Sequence, residues 1–354
     1  MELEKIQKIE QSVSNLENKQ SRIYFLVQDT KGNPRAGIRH IYDMALVLRK
    51  NGYNSIIMHE TSEYKGVSEW LGEEYMEIPH QVIEGQNLPI APEDFVIIPE
   101  IYGHVMEQIK NLPCAKIVLC QSYDYMLETL PPGVNWSQYG FMKCITTSEY
   151  QKNYINQIMR NVSIDVLSIN IPEVFTKKEK PSKPIIAIHT REPRDTAKII
   201  KTFYLKYPQF RWITFRDMRG ITQKDFANFL KDSFVSVWVD NESAFGTFPL
   251  ESMLSGTPVI GKIPSLKPDW MTENNGVWTY QFNEIVDILS TFTQNWLEDN
   301  ISENLYEEMS NTAKEFQNRE SYESNIVTLF DSYFTKRLES FSEQLEKIKV
   351  TEEK

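Results

Sequence analysis

Short apolar runs alternate with helical repeats along this chain, and the alternation is played through twice. Residues 23–27, Ile-Tyr-Phe-Leu-Val, open the first series. Being apolar at every position, they suit a strand buried on both faces. Ile38, Ile41, Tyr42, Ala45 and Leu48 then recur at helical spacing, and Asn51-Gly52 supplies the left-handed end such a helix takes. Residues 55–58, 95–98, 116–119 and 143–146 continue as strands separated by helical stretches. A polar linker at 177–184, rich in lysine and proline, precedes the second series. Its strands are expected at 185–188, 211–215, 235–239 and 258–260, and its helices at 195–207, 222–231 and 249–255. The pattern predicts an α/β chain of two Rossmann-like, doubly wound domains. Ligands of open parallel sheets lie outside the carboxyl ends of the strands, so a cleft between the domains is the expected site.

The 354 residues exceed what one core serves, since single cores stop growing near roughly 250–300 residues. The expected boundaries are an N-terminal helical extension at 1–20, a first domain at 21–176, a second at 177–300, helices at 301–336 returning to the first domain, and a charged helical tail at 337–354. Ile6, Ile9, Val13 and Leu16 form an apolar stripe near one end, and Leu338, Phe341, Leu345 and Ile348 another near the other end. Such stripes suit a short coiled coil, hence a homodimer, or helices docked on a neighbour.

Charge narrows the functional classes. Lys and Arg number 38 and Asp and Glu 49, so the net charge is 38 − 49 = −11. A chain this acidic has no global field for nucleic acid or an anionic membrane, although a local basic groove remains compatible with it. The five histidines make no HExxH pair, and Cys114, Cys120 and Cys144 are too few and too scattered for a disulfide framework or a CxxC metal site. They read as small buried hydrophobes. The first residues lack the apolar core of a signal peptide, and no run of about 18 apolar residues occurs. A cytoplasmic protein with no membrane span is expected, and the four N-x-[ST] sequons are then chance matches.

The loop after the first strand, from Asp29 to Arg39, has no GxGxxG, which removes the dinucleotide fingerprint. Gly32 and Gly37 have P-loop spacing, but Ile38-Arg39 replaces the required Lys-[Ser/Thr]. What remains is either a plain βα turn or a helix start that offers backbone N–H groups to an anion.

The most informative stretch is 241–261, Asn-Glu-Ser-Ala-Phe-Gly-Thr-Phe-Pro-Leu-Glu-Ser-Met-Leu-Ser-Gly-Thr-Pro-Val-Ile-Gly. It resembles the signature of family 4-like glycosyltransferases of the GT-B fold, which runs approximately E-G-F-G-x-x-x-L-E-A-M-A-x-G-x-P-V-V. Phe245, Gly246, Leu250, Glu251, Met253, Gly256, Pro258 and Val259 fall on that pattern, and Asn275-Gly276 falls on the family's later nGxL turn. Gly37 and Arg39-His40 resemble the GGxxRH element of the N-terminal domain. The texture of the chain also resembles glycosyltransferases encoded by tailed phages.

The resemblance implies transfer of a sugar from a nucleotide diphosphate to a hydroxyl, with retention, without a metal or a resident cofactor. The first domain would take the acceptor and the second the donor. Glu251, in the first turn of a helix, would bind the nucleotide ribose, and the backbone N–H groups from Phe245 through Gly246 and Thr247 to Phe248 would face the diphosphate. Gly37 joins this donor-binding set. The family's first Glu contacts the donor sugar; its place is taken here by Ser243, with Glu242 one position earlier, so either can make that contact. Positive charge on the leaving diphosphate is expected from Arg191, then from Arg194 or Lys198, although Lys198 also suits a solvated helix face. The Arg216–Arg219 cluster follows the next strand and is a further donor-side candidate. Trp238, Phe245, Trp270 and Trp278 suit stacking on base or sugar, or core packing. On the acceptor side stand Glu100, Gln121 and Asp124. Asp124 would orient a hydroxyl, act as base in an inverting reaction, or cap a helix. Asp240-Asn-Glu242 resembles a DxD metal motif but overlaps the donor signature, and a metal site is not expected there. The acceptor is then a saccharide or, if the phage likeness holds, a hydroxymethylpyrimidine in DNA within host cytoplasm. A catalytically weak nucleotide-sugar-binding protein and a scaffold joined through the terminal stripes are the competing readings.

Overall fold

The computed structural model describes residues 2–30, 35–61, 70–84, 88–177, 182–243 and 245–352. Gly32, Ala244 and half of the expected linker, residues 178–181, lie outside them. The chain forms two compact units, one of Met1–Thr146, Tyr154–Leu167 and Arg319–Lys354, the other of Thr147–Asn153 and Ser168–Asn318.

The first unit holds a seven-stranded sheet. Its strands are β1 (Arg22–Leu26), β2 (Asn54–His59), β3 (His80–Val82), β4 (Phe95–Pro99), β5 (Ala115–Cys120), β6 (Lys143–Thr146) and β7 (Ser163–Val166). They lie side by side in the order β3-β2-β1-β4-β5-β6-β7, and every pairing is parallel. Helices α1 (Glu2–Glu17), α2 (Ala36–Lys50), α3 (Gly103–Gln108), α4 (Tyr123–Thr129) and α5 (Glu149–Ile158) are interspersed, and α11 (Arg319–Glu352) closes the chain. Ile23, Phe25, Ile97, Ile117 and Leu119 are fully buried, as their unbroken apolar runs require. Asn51 and Gly52 close α2, with Gly52 at a φ of +83°.

The two terminal stripes find each other inside this unit. Ile9, Leu16 and Phe341 join the core, with Val13, Leu338, Leu345 and Ile348 packed against it, and Lys349 pairs with Glu10 at 3.3 Å. Helix α1 therefore packs its apolar stripe into this core, and α11 runs unbroken across the boundary expected at 336. Deeper in, buried Asp43 of α2 accepts from Tyr75 at 2.6 Å and pairs with Arg319 at 3.0 Å, fastening the start of α11.

The second unit holds five parallel strands, β8 (Lys183–Thr190), β9 (Thr214–Asp217), β10 (Ser233–Val239), β11 (Val259–Lys262) and β12 (Val277–Thr279), in the order β12-β11-β10-β8-β9. Helices α6 (Pro193–Lys206), α7 (Gln223–Asp232), α8 (Thr247–Leu254), α9 (Ile285–Leu297) and α10 (Glu303–Lys314) cover it. Alternate residues serve two cores: Ile186, Ile188, Val235 and Val237 pack with residues of α6 and α9, while Ala187 and Trp238 pack with residues of α7, α8 and α10. The helices expected to return to the first domain at 301–336 are thus divided, α10 here and α11 in the first unit.

Three local readings shift. The strand expected at 211–215 lies at Thr214–Asp217, because Pro208 starts a helical turn (Pro208–Phe210) that is still unwinding at Arg211 and leaves Trp212 exposed. Helix α8 begins at Thr247, two residues before the expected start. β3, β7 and β12 were not expected; each is three or four residues long and lies at a sheet edge. Cys114, Cys120 and Cys144 are buried and unbridged. Among the described residues no helix is long and apolar enough to cross a membrane.

Candidate functional site

Strand order reverses between β8 and β10 in the second sheet, and between β1 and β4 in the first. Such switch points leave a crevice at the carboxyl ends of the two strands, because the connections diverge to opposite faces. Gly37 and Glu100 fall at the first of these places, Arg191, Glu242 and the start of α8 at the second, and Gln121 and Asp124 follow the neighbouring β5.

In the second unit, β8 leads into Arg191, whose backbone N–H donates to Val239 O at the end of β10 at 2.9 Å. β10 leads through 240–246 into α8. Gly246, in the left-handed region at φ +75°, is the residue before the helix. The loop is shaped from below by aromatic rings: Trp270 Nε1 donates to Phe245 O at 2.7 Å, and Trp238 and Trp270 lie directly under Gly246. Trp238, Phe245 and Trp270 are buried, and Trp278 is half-buried, so these aromatics form the floor of the loop as core residues. Asn275 is fully buried and ties the floor together, with Nδ2 donating to Trp270 O at 2.6 Å and to Thr312 Oγ1 at 3.1 Å.

Ser243 Oγ accepts the N–H of Gly246 at 3.1 Å. Its hydroxyl therefore shapes the loop, and the Gly246 N–H, expected to face a diphosphate, is used within it. Thr247 and Phe248 open α8 and carry N–H groups without intrahelical partners, while Pro249 carries none. Glu251 is the fifth helical residue; the expected first-turn position becomes the second turn, since α8 starts earlier.

Arg191 lies between two carboxylates. Its Nε is 2.6 Å from Glu242 and its Nη1 is 3.5 Å from Asp240. Burial holds the Asp240 carboxyl above the ordinary carboxylate range, against the pull of the Arg191 guanidinium. The DxD-like residues thus surround a guanidinium, and among the described residues no cluster suited to a metal occurs. Lys198 is exposed and pairs with Asp195 one turn back at 3.4 Å, which fits the solvated-face reading; Arg194 is exposed in the first turn of the same helix. Arg219 is held by Asp217 at 2.9 Å, and Arg216 lies over the Phe229 ring. Neither joins Arg191.

In the first unit, Gln121 follows β5 and its Nε2 donates to Gly37 O at 3.0 Å, strapping the start of α2 to the exit of β5. A Cβ at Gly37 would stand 2.4 Å from Gln121 Oε1, so a side chain there would displace the Gln121 amide from this strap. Glu100, just beyond β4, is buried, with a carboxyl oxygen accepting the Ser122 N–H at 2.7 Å. Burial pushes that carboxyl up to about 7, while backbone N–H donors pull it down. Glu100 sets the turn before α4 and does not present its carboxyl to a ligand. Ser122 is the residue preceding α4, and half-buried Asp124 lies in its first turn, where a carboxylate matches the helix dipole.

His189 is the residue that sequence reasoning passed over. It lies near the end of β8, two positions before Arg191, and stacks on Phe248 of α8 with ring centroids 5.1 Å apart. A polar residue closing an otherwise apolar strand was its only signal.

No protein-family profile matches the chain, and no curated protein matches it by sequence. Solved structures do. HepE of Anabaena, solved in complex with UDP and glucose, superposes with a TM-score of 0.66 at 14% identity, covering 88% of this chain and 99% of that one. Sucrose-phosphate synthase from Thermosynechococcus elongatus gives a TM-score of 0.61 at 10% identity over 89% and 99%. A glycosyltransferase from Rickettsia africae gives 0.54 at 14% over 93% and 98%. At such identities the likeness is one of fold. With two parallel sheets, each doubly wound, this chain has the GT-B fold of those glycosyltransferases.

Proposed function

We propose that the chain is a glycosyltransferase that moves a sugar from a nucleoside diphosphate to a saccharide hydroxyl, with retention and without a metal, in the cytoplasm. The observation that carries this reading is the convergence of Arg191, Glu242, the Gly246 turn and the start of α8 at the switch point of the second sheet. A glycosyl bond breaks when its electron pair passes to the diphosphate, so charge builds there. The Arg191 guanidinium and the first-turn N–H groups of α8 supply compensating positive charge. Glu242 then exchanges places with the diphosphate on Arg191, since its side chain is 41% exposed and that of Asp240 only 15%. The released carboxylate is left at the donor sugar, the contact that the glycosyltransferase signature gives its first Glu. Glu251 would hold the ribose diol. The acceptor oxygen bonds to the anomeric carbon, and its proton passes to the leaving phosphate oxygen. Asp124 would orient that hydroxyl.

The terminal stripes, being filled by each other within one chain, supply no argument for a homodimer. The proposal is tested by a thermal-shift and hydrolysis screen against UDP-, GDP- and ADP-sugars without metal. A stabilising donor that is slowly hydrolysed is expected. Stabilisation without turnover would favour the sugar-binding module, and no shift with any donor would refute both.

A further inference from the structure

His189 lies on the α8-facing side of β8, with Trp238 as its register partner on β10, at the point where strand order reverses. Its ring is fixed by a near-parallel stack on Phe248, with an angle of 21° between the planes. Nδ1 is buried without a partner, while the residue as a whole is only half-buried. A neutral imidazole carries one ring proton, and no acceptor faces Nδ1, so the proton belongs on Nε2. Burial pushes the ring's pKa down to about 4, with Asp217 pulling it up and Arg219 pushing it further down. Those two, from β9 and its exit, are the charged groups facing the ring; α8 and β10 contribute the uncharged rings of Phe248 and Trp238. A phenylalanine here would keep the stack and avoid the orphaned nitrogen, so polarity at this position costs stability.

Resting on the donor reading above, we propose that His189 is a further nucleotide-binding residue, its Nε2–H donating to a phosphate oxygen of a nucleoside diphosphate held at the start of α8. The group is a fixed neutral donor beside Arg191, with one N–H at a set angle set by Phe248. It adds direction where the guanidinium adds charge.

The test is calorimetric titration of UDP into the full chain, wild type against His189→Phe, from pH 5.5 to 8. His189→Phe is expected to keep the thermal midpoint within a few degrees and to weaken UDP about tenfold or more, as for a lost hydrogen bond to a charged group. The ratio of the two dissociation constants is expected to stay constant across that range, because the ring is neutral throughout; a charged ring would make it grow below pH 6.5. Equal affinities, or a ratio that grows on acidification, would overturn the assignment. If His189→Phe does not fold, His189→Gln carries the test: binding within threefold of wild type supports a donated hydrogen bond, and a tenfold loss counts against it. Wild type that binds no nucleoside diphosphate removes the donor reading and this residue's role together, whereas wild type that binds alongside an unaffected His189→Phe removes only the latter.

Discussion

At Gly246 the backbone stands at φ +75°, and a Cβ there would lie 3.0 Å from a Trp270 ring carbon. A left-handed alanine costs roughly 1–2 kcal/mol, before any displacement of the indole. Gly246→Ala is therefore expected to lose about that much stability in denaturant titration and to weaken nucleotide binding as the start of α8 shifts; unchanged values for both would show that the loop is not built on this turn. Glu242 argues in the opposite direction. Partly exposed ion pairs contribute about 0.2–1 kcal/mol, so Glu242→Gln, by releasing Arg191, is expected to tighten free UDP about two- to fivefold while slowing donor hydrolysis. Weaker UDP binding would place Glu242 elsewhere. Glu100 is testable by pH. Its carboxyl is pushed up to about 7 in the fold from an unfolded value near 4.5. The unfolded chain releases that proton first as pH rises, so this group's contribution falls between those values and stays lost above them, by about 1.4 kcal/mol per unit. The thermal midpoint of Glu100→Gln relative to wild type is expected to improve from pH 5 to pH 8. A difference that does not change with pH would mean that Glu100 is ionised in the fold. These roles were only partly legible in the sequence. The signature pointed to Glu251 and to Ser243 or its neighbour Glu242, and the need for charge on a leaving diphosphate pointed to Arg191, but that Ser243 bonds Gly246, or that Glu100 turns inward onto the Ser122 N–H, depends on contacts no spacing encodes.

Elements were most readable where burial dictates composition. β1, β4, β5 and β10 are apolar on successive residues because both faces are covered, and each appears within two or three residues of its expected place. β3, with the sequence His-Gln-Val and all three residues half-buried, carries no such pattern; its place comes from pairing with β2. The Pro208 turn displaced β9 for a different reason, a local backbone constraint overriding the β propensity of Trp212 and Ile213. The terminal stripes were visible, but a stripe does not name its partner. At 34 residues and 1.5 Å each, α11 is about 51 Å long, enough to reach both α2 and α1. Leu16 of α1 is 3% exposed against this surface. Leu16→Ala is expected to cost about 2–5 kcal/mol, read as a drop in the thermal midpoint at unchanged solution mass. A fall in mass instead would mean that the stripe joins two chains.

At the scale of the whole molecule, two doubly wound parallel sheets follow from the twofold alternation of runs, with Arg191, Glu242 and the start of α8 at the switch point of the second sheet and Gly37 and Glu100 at that of the first. Net charge acts at this scale too. At −11 the chain has no global field for nucleic acid, and attraction for a nucleotide is expected to be local, at Arg191 and the start of α8. The most direct measurement of that local site is calorimetric titration of a nucleoside diphosphate panel into wild type and Glu251→Ala. One nucleotide is expected to bind wild type, and Glu251→Ala to lose at least tenfold in affinity at an unchanged thermal midpoint. Binding that is indifferent to Glu251, or absent across the panel, would contradict a donor site at the carboxyl end of the second sheet.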